Sequence, residues 1–129
     1  MIVVDSSVWI DYFTGAVTPE VERLDSYLDQ ELILVGDLIL AEVLQGFRRD
    51  RDFEAARLAL TRLEVVPMVG LNIAIRSAEN FRTLRRLGIT VRKTIDSLIA
   101  TYCLHRGHRL LFSDRDFQPF VDHLGLVIA

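Results

Sequence analysis

The chain has 129 residues, with 18 acidic against 15 basic side chains, a formal net charge of −3 and an apolar fraction of 50%. This length allows one domain to bury a sufficient core, and the composition excludes a disordered or low-complexity chain. No apolar run approaches the ~18–20 residues of a membrane span, and Cys103 has no second cysteine to pair with, so we expect a cytoplasmic protein without membrane contact.

Short apolar runs that predict strands alternate with longer segments that predict helices. In chain order, the predicted elements are a strand at 2–4, helices at 6–13 and 19–28, a strand at 32–35, helices at 37–49 and 53–63, a strand at 65–66, helices at 73–87 and 94–107, a strand at 110–112, a short helix at 117–124 and a strand at 126–128. Uniformly apolar strands separated by helices are typical of a parallel sheet covered on both faces. The sequence therefore predicts an α/β fold with about five strands, and no linker or composition break marks a second domain.

Several predicted helices begin at residues that are suited to capping. Ser6 or Ser7 offers an N-cap for the first helix, Asp37 for the third, and Thr94 for the helix that extends to residue 107. Pro19 is suited to the first turn of the second helix.

The charge is distributed unevenly along the chain. Residues 1–45 carry nine acids and one base, residues 46–93 carry eleven bases and five acids, and residues 94–129 have a net charge of −1. Fourteen of the bases are arginines, and Lys93 is the single lysine. The net charge therefore conceals a basic segment, which leaves room for a basic surface beside an acidic one.

Carboxylates occur at positions that the predicted topology brings to one edge of the sheet. Asp5 ends the first strand, Asp114 and Asp116 follow the strand at 110–112, and Asp96 lies in the first turn of a helix. Ligands of parallel sheets bind at the carboxyl ends of the strands, where these side chains are expected. Taken singly, Asp5, Asp96 and Asp114 are equally well explained as helix caps.

Glu42 is harder to explain as a cap. It lies within the apolar segment 38–44, where burial of an unpaired carboxylate is costly. A cation or a shared proton would compensate for this cost.

A cluster of carboxylates cannot ionise fully without a compensating positive charge. Oxygen ligands suit hard cations, so the predicted ion is Mg²⁺ or Mn²⁺, which can activate a water and neutralise charge on a phosphodiester. Arg92 and Lys93 flank this site and are candidates for contacts with phosphate. Arg115, between two acids, either does the same or balances their charge.

Three other functions are conceivable for these residues: a zinc site, a phosphatase and a binding module. Cys103, His105 and His108 have the spacing of a partial zinc site, but no partner pair exists elsewhere in the chain. A phosphatase of the haloacid-dehalogenase type requires a second Asp two residues after the first, where this chain has Ser7. A non-enzymatic binding module, in which the acids only cap helices, remains an alternative.

Four blocks of sequence resemble the PIN-domain family and, more closely, its VapC-type toxins. The blocks are IVVDSSVWI at the start, AEVLQG around Glu42, TVRKTIDSLIA around Asp96 and FSDRDF around Asp114. Their order and spacing match the family over the full length of the chain. The resemblance implies a single PIN domain over residues 1–129, with three α/β/α layers.

The resemblance also implies a function and a set of site residues. The function is that of a toxin: a Mg²⁺- or Mn²⁺-dependent endoribonuclease that cuts structured RNA, transfer or ribosomal. Its partners would be a second copy of the chain, as a homodimer, and a cognate VapB-type antitoxin, with which the dimer can form a higher assembly. Position by position, the family's acidic quartet corresponds to Asp5, Glu42, Asp96 and Asp114, its supporting hydroxyl to Ser7 and a further acid to Asp116.

The alternative to this function is a nuclease-inactive PIN-like module that binds RNA or protein. The mean hydropathy of +0.27 is high for a lone domain of this size. It indicates either a dimer face or partner groove at helices 37–49 and 53–63, or a well-filled core.

Overall fold

The chain folds around a four-stranded parallel sheet in the computed structural model, which describes all residues 1–129. The strands are β1 (Ile2–Val4), β2 (Ile33–Gly36), β3 (Glu64–Val66) and β4 (Arg109–Leu111), in the spatial order β3-β2-β1-β4. Every pair of neighbours is parallel. The predicted α/β class with a central parallel sheet is confirmed.

Seven helices form two groups, each packed internally. In chain order they are α1 (Ser6–Thr14), α2 (Pro19–Gln30), α3 (Asp37–Gln45), α4 (Asp50–Thr61), α5 (Gly70–Arg86), α6 (Thr94–Arg106) and α7 (Gln118–Leu124). Helices α1 to α4 contact one another in sequence order or through α3, whereas α5 contacts α6 and α7. Together with the sheet, these two groups give the three-layer α/β/α arrangement. No helix combines the length and apolar character required to cross a membrane.

The predicted fifth strand at 126–128 is reduced to a single bridge. Ile128 pairs with Leu110 of β4, and the pairing consists of two backbone bonds, from Leu110 N–H to the Val127 carbonyl and from Ala129 N–H to the Leu110 carbonyl. Val127 and Ile128 remain exposed at the edge of the sheet. Gly125 ends α7, and the backbone N–H of Leu126 still bonds the Phe120 carbonyl of that helix, so only the residues after it pair with β4.

Three of the predicted helix caps were wrong by one residue. Asp5, and not the serines that follow it, caps α1, because its Oδ2 accepts a hydrogen bond from the backbone N–H of Ser7 at 3.4 Å. Asp37 and Thr94 are the first residues of α3 and α6 and do not cap them. Asp37 instead accepts a hydrogen bond from the backbone N–H of Met68 at 3.2 Å, which ties α3 to the segment after β3.

The strand order creates a crevice at the carboxyl edge of the sheet. From β1 the chain crosses to β2 on one side, while β4 lies on the other side, with Ile2 opposite Arg109. Such a reversal of direction separates the loops that follow the two strands and opens a binding site between them. The Asp5 backbone N–H bonds the Leu111 carbonyl at 2.9 Å, which fixes the position of this carboxylate at the crevice.

Glycine is required where β2 ends. The side chain of Met68, which is buried, occupies the space into which a Cβ at Gly36 would project. The end of β2 therefore depends on a close approach that only glycine permits.

Candidate metal centre

Four segments of the chain bring the five predicted acids to the crevice between β1 and β4. Asp5 follows β1, Glu42 lies on α3, Asp96 is in the first turn of α6, and Asp114 and Asp116 belong to the segment after β4. Carboxylate oxygens of Asp96, Asp114 and Asp116 all lie within 4.8 Å of one another. The charges of Asp5 and Glu42 act on Asp96 and raise its pKa, so they face the same space.

The carboxylate of Asp5 is held by Ser7, the residue that was predicted to support it. Only 3% of Asp5 is exposed, and the Ser7 hydroxyl donates to its Oδ2 at 2.8 Å. Burial raises the pKa of Asp5, although the hydrogen bonds from Ser7 act to lower it. The second oxygen, Oδ1, is buried without a hydrogen-bond partner.

Glu42 lies on α3 and is partly buried, as its position within an apolar segment predicts. Its Oε1 is buried and has no hydrogen-bond partner. Burial raises the pKa of Glu42, and the negative charge of Asp5 raises it further. The Ser6 hydroxyl and the Lys93 ammonium oppose this rise.

The pKa of Asp96 is raised well above the ordinary value of an aspartate. Asp96 is 4% exposed, and its Oδ2 is buried without a hydrogen bond. Burial is the largest cause that raises the pKa of Asp96 to about 7; Lys93 opposes the rise, and the other three acids of the quartet add to it. Near neutral pH this group therefore changes between its protonated and ionised forms.

Lys93 is the cation of the cluster. Its Nζ lies 3.3 Å from Asp114 Oδ2, to which it donates a hydrogen bond, and 3.8 Å from Asp96 Oδ2. Asp114 also accepts a hydrogen bond from the backbone N–H of Asp116 at 2.9 Å, and this bond, with Lys93, lowers the pKa of Asp114. The cluster thus contains one acid that is readily ionised, Asp114, beside buried acids whose charged form is disfavoured.

The three oxygens without partners provide a test of whether a cation fits. Asp5 Oδ1, Glu42 Oε1 and Asp96 Oδ2 come from three different segments, and each is buried without a hydrogen bond, although Asp96 Oδ2 has Lys93 Nζ at 3.8 Å. A buried carboxylate oxygen without a donor is costly, and a divalent cation in the crevice, where Asp96, Asp114 and Asp116 already lie within 4.8 Å of one another, offsets this cost. Because every available ligand atom is an oxygen, the set suits a hard cation such as Mg²⁺ or Mn²⁺. The residues therefore fit the metal that the family resemblance implies.

At two positions the same acid both caps a helix or turn and belongs to the cluster of carboxylates. Asp5 caps α1 with one oxygen, and Asp114 caps the 3₁₀ turn at Arg115–Phe117 with Oδ1, while both carboxylates also face the crevice. Asp96 caps no helix and lies inside α6. Capping therefore does not replace the clustering as an explanation of these acids.

Two hydroxyl groups of the site were missed from the sequence. The Ser113 hydroxyl lies 3.1 Å from the Ser7 hydroxyl and so extends the hydrogen-bonded chain that holds Asp5. Ser6, considered only as a cap, acts on Glu42. Both serines follow a strand and stand next to an acid of the cluster, and this position was the feature of the sequence that could have identified them.

The remaining candidates lie around the rim. Arg92 is exposed, and its charge helps to lower the pKa of Asp114. Arg115 is exposed and forms an ion pair with neither neighbouring acid, so it does not balance their charge. The zinc interpretation is unsupported, because Cys103 is fully buried in α6, where burial raises the pKa of its thiol to about 12, and His105 is exposed.

Comparison with known proteins extends these observations. Residues 2–120 match the family model described as PIN domain. Ribonuclease VapC11 of Mycobacterium tuberculosis is 33% identical over 124 residues, which cover 92% of this chain and 90% of that protein.

Two solved structures show the same fold at low sequence identity. A toxin–antitoxin complex from Klebsiella pneumoniae superposes with a TM-score of 0.73 at 19% identity, covering 98% of this chain and 96% of the other. Mycobacterium tuberculosis VapC20, described as a Sarcin-Ricin loop cleaving toxin, superposes with a TM-score of 0.70 at 15% identity, covering 100% of this chain and 98% of the other.

Proposed function

The chain belongs to the PIN-domain family, and on that premise we propose that it is a divalent-metal-dependent endoribonuclease that acts as the toxin of a toxin–antitoxin pair. The observation that carries the metal dependence is the set of three buried oxygens without hydrogen bonds on Asp5, Glu42 and Asp96. A module that only bound RNA or protein would have no need for this costly arrangement.

We assign the metal-binding and catalytic residues from their positions in the crevice. Asp5 and Asp96 would hold Mg²⁺ or Mn²⁺ directly, and Glu42 and Asp114 would complete the ligand set or orient its waters. When bound, the ion supplies a more acidic water and neutralises charge on the phosphodiester. Asp116 places a further carboxylate within 4.8 Å of Asp96 and Asp114, where it can accept a hydrogen bond from a water at the site.

The chain's own groups perform three tasks around that ion. Ser7 fixes the orientation of Asp5 through a 2.8 Å hydrogen bond. Lys93 offsets the charge of Asp96 and Asp114, and its half-exposed ammonium is free to turn towards an arriving phosphate. Arg92 offers a second positive charge on the same rim.

Substrate and partners are inferred from the relatives. VapC11 is named a ribonuclease and VapC20 a toxin that cleaves the Sarcin-Ricin loop, which supports structured RNA, ribosomal or transfer, as the substrate. The Klebsiella complex pairs a toxin with an antitoxin, which supports a VapB-type antitoxin as the partner of this chain. An RNA substrate of this kind agrees with a cytoplasmic location.

We also infer that the unit of assembly is a homodimer of single PIN domains. The face indicated by the hydropathy at helices 37–49 and 53–63 stays a prediction; helix α5 exposes a further pair of apolar residues at helical spacing, with Leu71 80% and Ile75 52% exposed. Such a pair on a helix surface is suited to contact with a second copy. Sedimentation of the chain alone and of Ile75→Glu would test this, because the charged variant should be monomeric.

The test of function is cleavage of total RNA with sequencing of the new ends. Asp5→Asn and Asp96→Asn should remove both cleavage and growth arrest while the protein remains folded. Asp29→Asn, an exposed position near the end of α2, is the matched control and should cleave as the unmodified chain does. Full cleavage by folded Asp5→Asn protein would reject the proposal in favour of the inactive binding module.

A further inference from the structure

A small cavity opens beside the carboxylates on the β4 side of the crevice. It has a volume of about 260 Å³ and lies between the first turns of α2 and the segment that follows β4. Arg23, Phe112, Ser113 and Arg115 are among the residues that line it. None of the roles assigned above uses this cavity.

The cavity is continuous with the candidate metal centre. Ser113, which lines it, lies 3.1 Å from the Ser7 hydroxyl that supports Asp5. Asp114 stands in the sequence between Ser113 and Arg115, with its carboxylate in the cluster and its two neighbours in the cavity wall. A nucleic acid strand whose scissile phosphate lies over the carboxylates would therefore pass directly beside this cavity.

The lining has the two chemical features that bind a single-stranded nucleotide. Two arginines from different elements, Arg23 of α2 and Arg115 of the 3₁₀ turn, present guanidinium groups suited to phosphate. The ring of Phe112 packs against Phe117 at 5.3 Å and is partly exposed, so an aromatic surface is available for a base. The volume of about 260 Å³ is near the lower end of the ~300–1,000 Å³ range of ligand pockets.

We propose that this cavity binds the nucleotide next to the scissile phosphate of the RNA, with Arg23 and Arg115 on a phosphate and Phe112 on the base. This inference rests on the proposed ribonuclease function and adds a substrate site to it. Glu20 belongs to the same lining, and its Oε1 lies 3.6 Å from Arg23 Nη2. In the free protein, Glu20 therefore offsets part of the charge that the site offers to phosphate.

The ionic part of the proposal is tested by the salt dependence of RNA binding. A fluorescein-labelled single-stranded RNA of mixed sequence is titrated with the full chain in EDTA, so that it is bound and not cut. Each lost phosphate contact reduces the slope of log K against log salt by about 0.7, which is about a fivefold loss of affinity at 0.1 M salt. Arg23→Gln with Arg115→Gln should therefore lose about 25-fold in affinity and about 1.4 in slope.

A matched control removes an arginine at the other end of the fold. Arg106 is exposed in the last turn of α6, whereas Asp96 is in the first turn of the same helix. Arg106→Gln should retain the slope and the affinity of the unmodified chain. A loss in Arg106→Gln equal to that of Arg23→Gln or Arg115→Gln alone would overturn the proposal, because the effect would then follow net charge alone.

Two further variants separate stacking from charge. Phe112→Leu should weaken binding about fivefold or more with an unchanged salt slope, because base stacking is not ionic. Glu20→Gln should strengthen binding, because it releases Arg23. Thermal unfolding of each variant identifies any loss that comes from misfolding.

The possible failures of the inference and of the function are distinguishable. If the unmodified chain neither binds the probe nor cleaves total RNA with Mg²⁺, the proposed function fails. If the unmodified chain does both, and the arginine and phenylalanine variants retain its affinity and slope, the nucleotide site alone is refuted.

Discussion

Replacement of Asp96 by asparagine should stabilise the metal-free protein at alkaline pH. Burial raises the pKa of Asp96 from 3.8 to about 7, so the folded chain holds this proton more tightly than the unfolded chain does. The resulting stabilisation is present at low pH and is lost as the pH rises from about 4 to about 7. Above that range, the folded protein bears the full cost of a buried charge, which asparagine does not carry.

The magnitude follows from the two pKa values. At about 1.4 kcal/mol per pH unit, the stability lost relative to low pH is about 1.5 kcal/mol at pH 5, where only the unfolded chain has ionised at this position, and about 4 kcal/mol at pH 8, where both states have. These are upper limits, because the asparagine amide must find its own hydrogen bonds. Urea unfolding of both proteins in EDTA at the two pH values should therefore show a difference in free energy that widens as the pH rises.

Divalent metal should offset much of this difference at pH 8. At a concentration 100-fold above its Kd, Mg²⁺ or Mn²⁺ would add about 2.7 kcal/mol to the unmodified chain and little to Asp96→Asn. Asp29→Asn should follow the unmodified chain under every condition. The reasoning is refuted if Asp96→Asn is the less stable protein at pH 8 in EDTA, or if the difference is the same at both pH values.

Three further predictions concern the support of the site and the fold. Gly36→Ala should cost about 1–3 kcal/mol in urea unfolding because the new Cβ would overlap Met68, and Met68→Ala in the same chain should recover part of this loss; no recovery would contradict the overlap. Ser7→Ala removes a hydrogen bond that lowers the pKa of Asp5, so metal-induced stabilisation measured by thermal unfolding should shift to higher pH, and an unchanged pH profile would count against that role. Thr18→Ala should cost about 0.5–2 kcal/mol in urea unfolding, because the Thr18 hydroxyl accepts the N-terminal hydrogen bond of α2, and RNA cleavage at saturating metal should be unchanged.

Most of the fold could be predicted because strand and helix patterns in this chain are strong. The apolar runs at β1, β2 and β4 lie within one residue of the observed strands, since their burial on both faces excludes other arrangements. The segment 126–128 has an equally apolar pattern but only a bridge to Leu110, because its length of contact depends on where α7 ends. The apolar pattern of the segment does not show how many of its residues lie beside β4.

The candidate site was predictable in its acids and less so in its polar support. Carboxylates at strand ends and in first turns are brought together by the topology of any parallel sheet, so four of the acids followed from local sequence, and Glu42 followed from its apolar surroundings. The contact between Ser7 and Ser113 spans 106 positions and depends on how β1 and β4 align. Lys93 was expected to contact phosphate. Its contacts with both Asp96 and Asp114 became visible only in the structure.

The pairing of the first strand with the last has a consequence for the synthesis of the protein. Ile2 lies opposite Arg109, so β1 leaves the ribosome about 100 residues before its partner, an interval of about 5–20 s. Asp114 and Asp116 are made later still, and without them and β4 the carboxylates cannot meet. A nascent chain therefore has no nuclease centre, and premature termination anywhere before β4 yields a harmless product. The producing cell meets the active toxin only as a finished molecule, which is also the form that an antitoxin must capture.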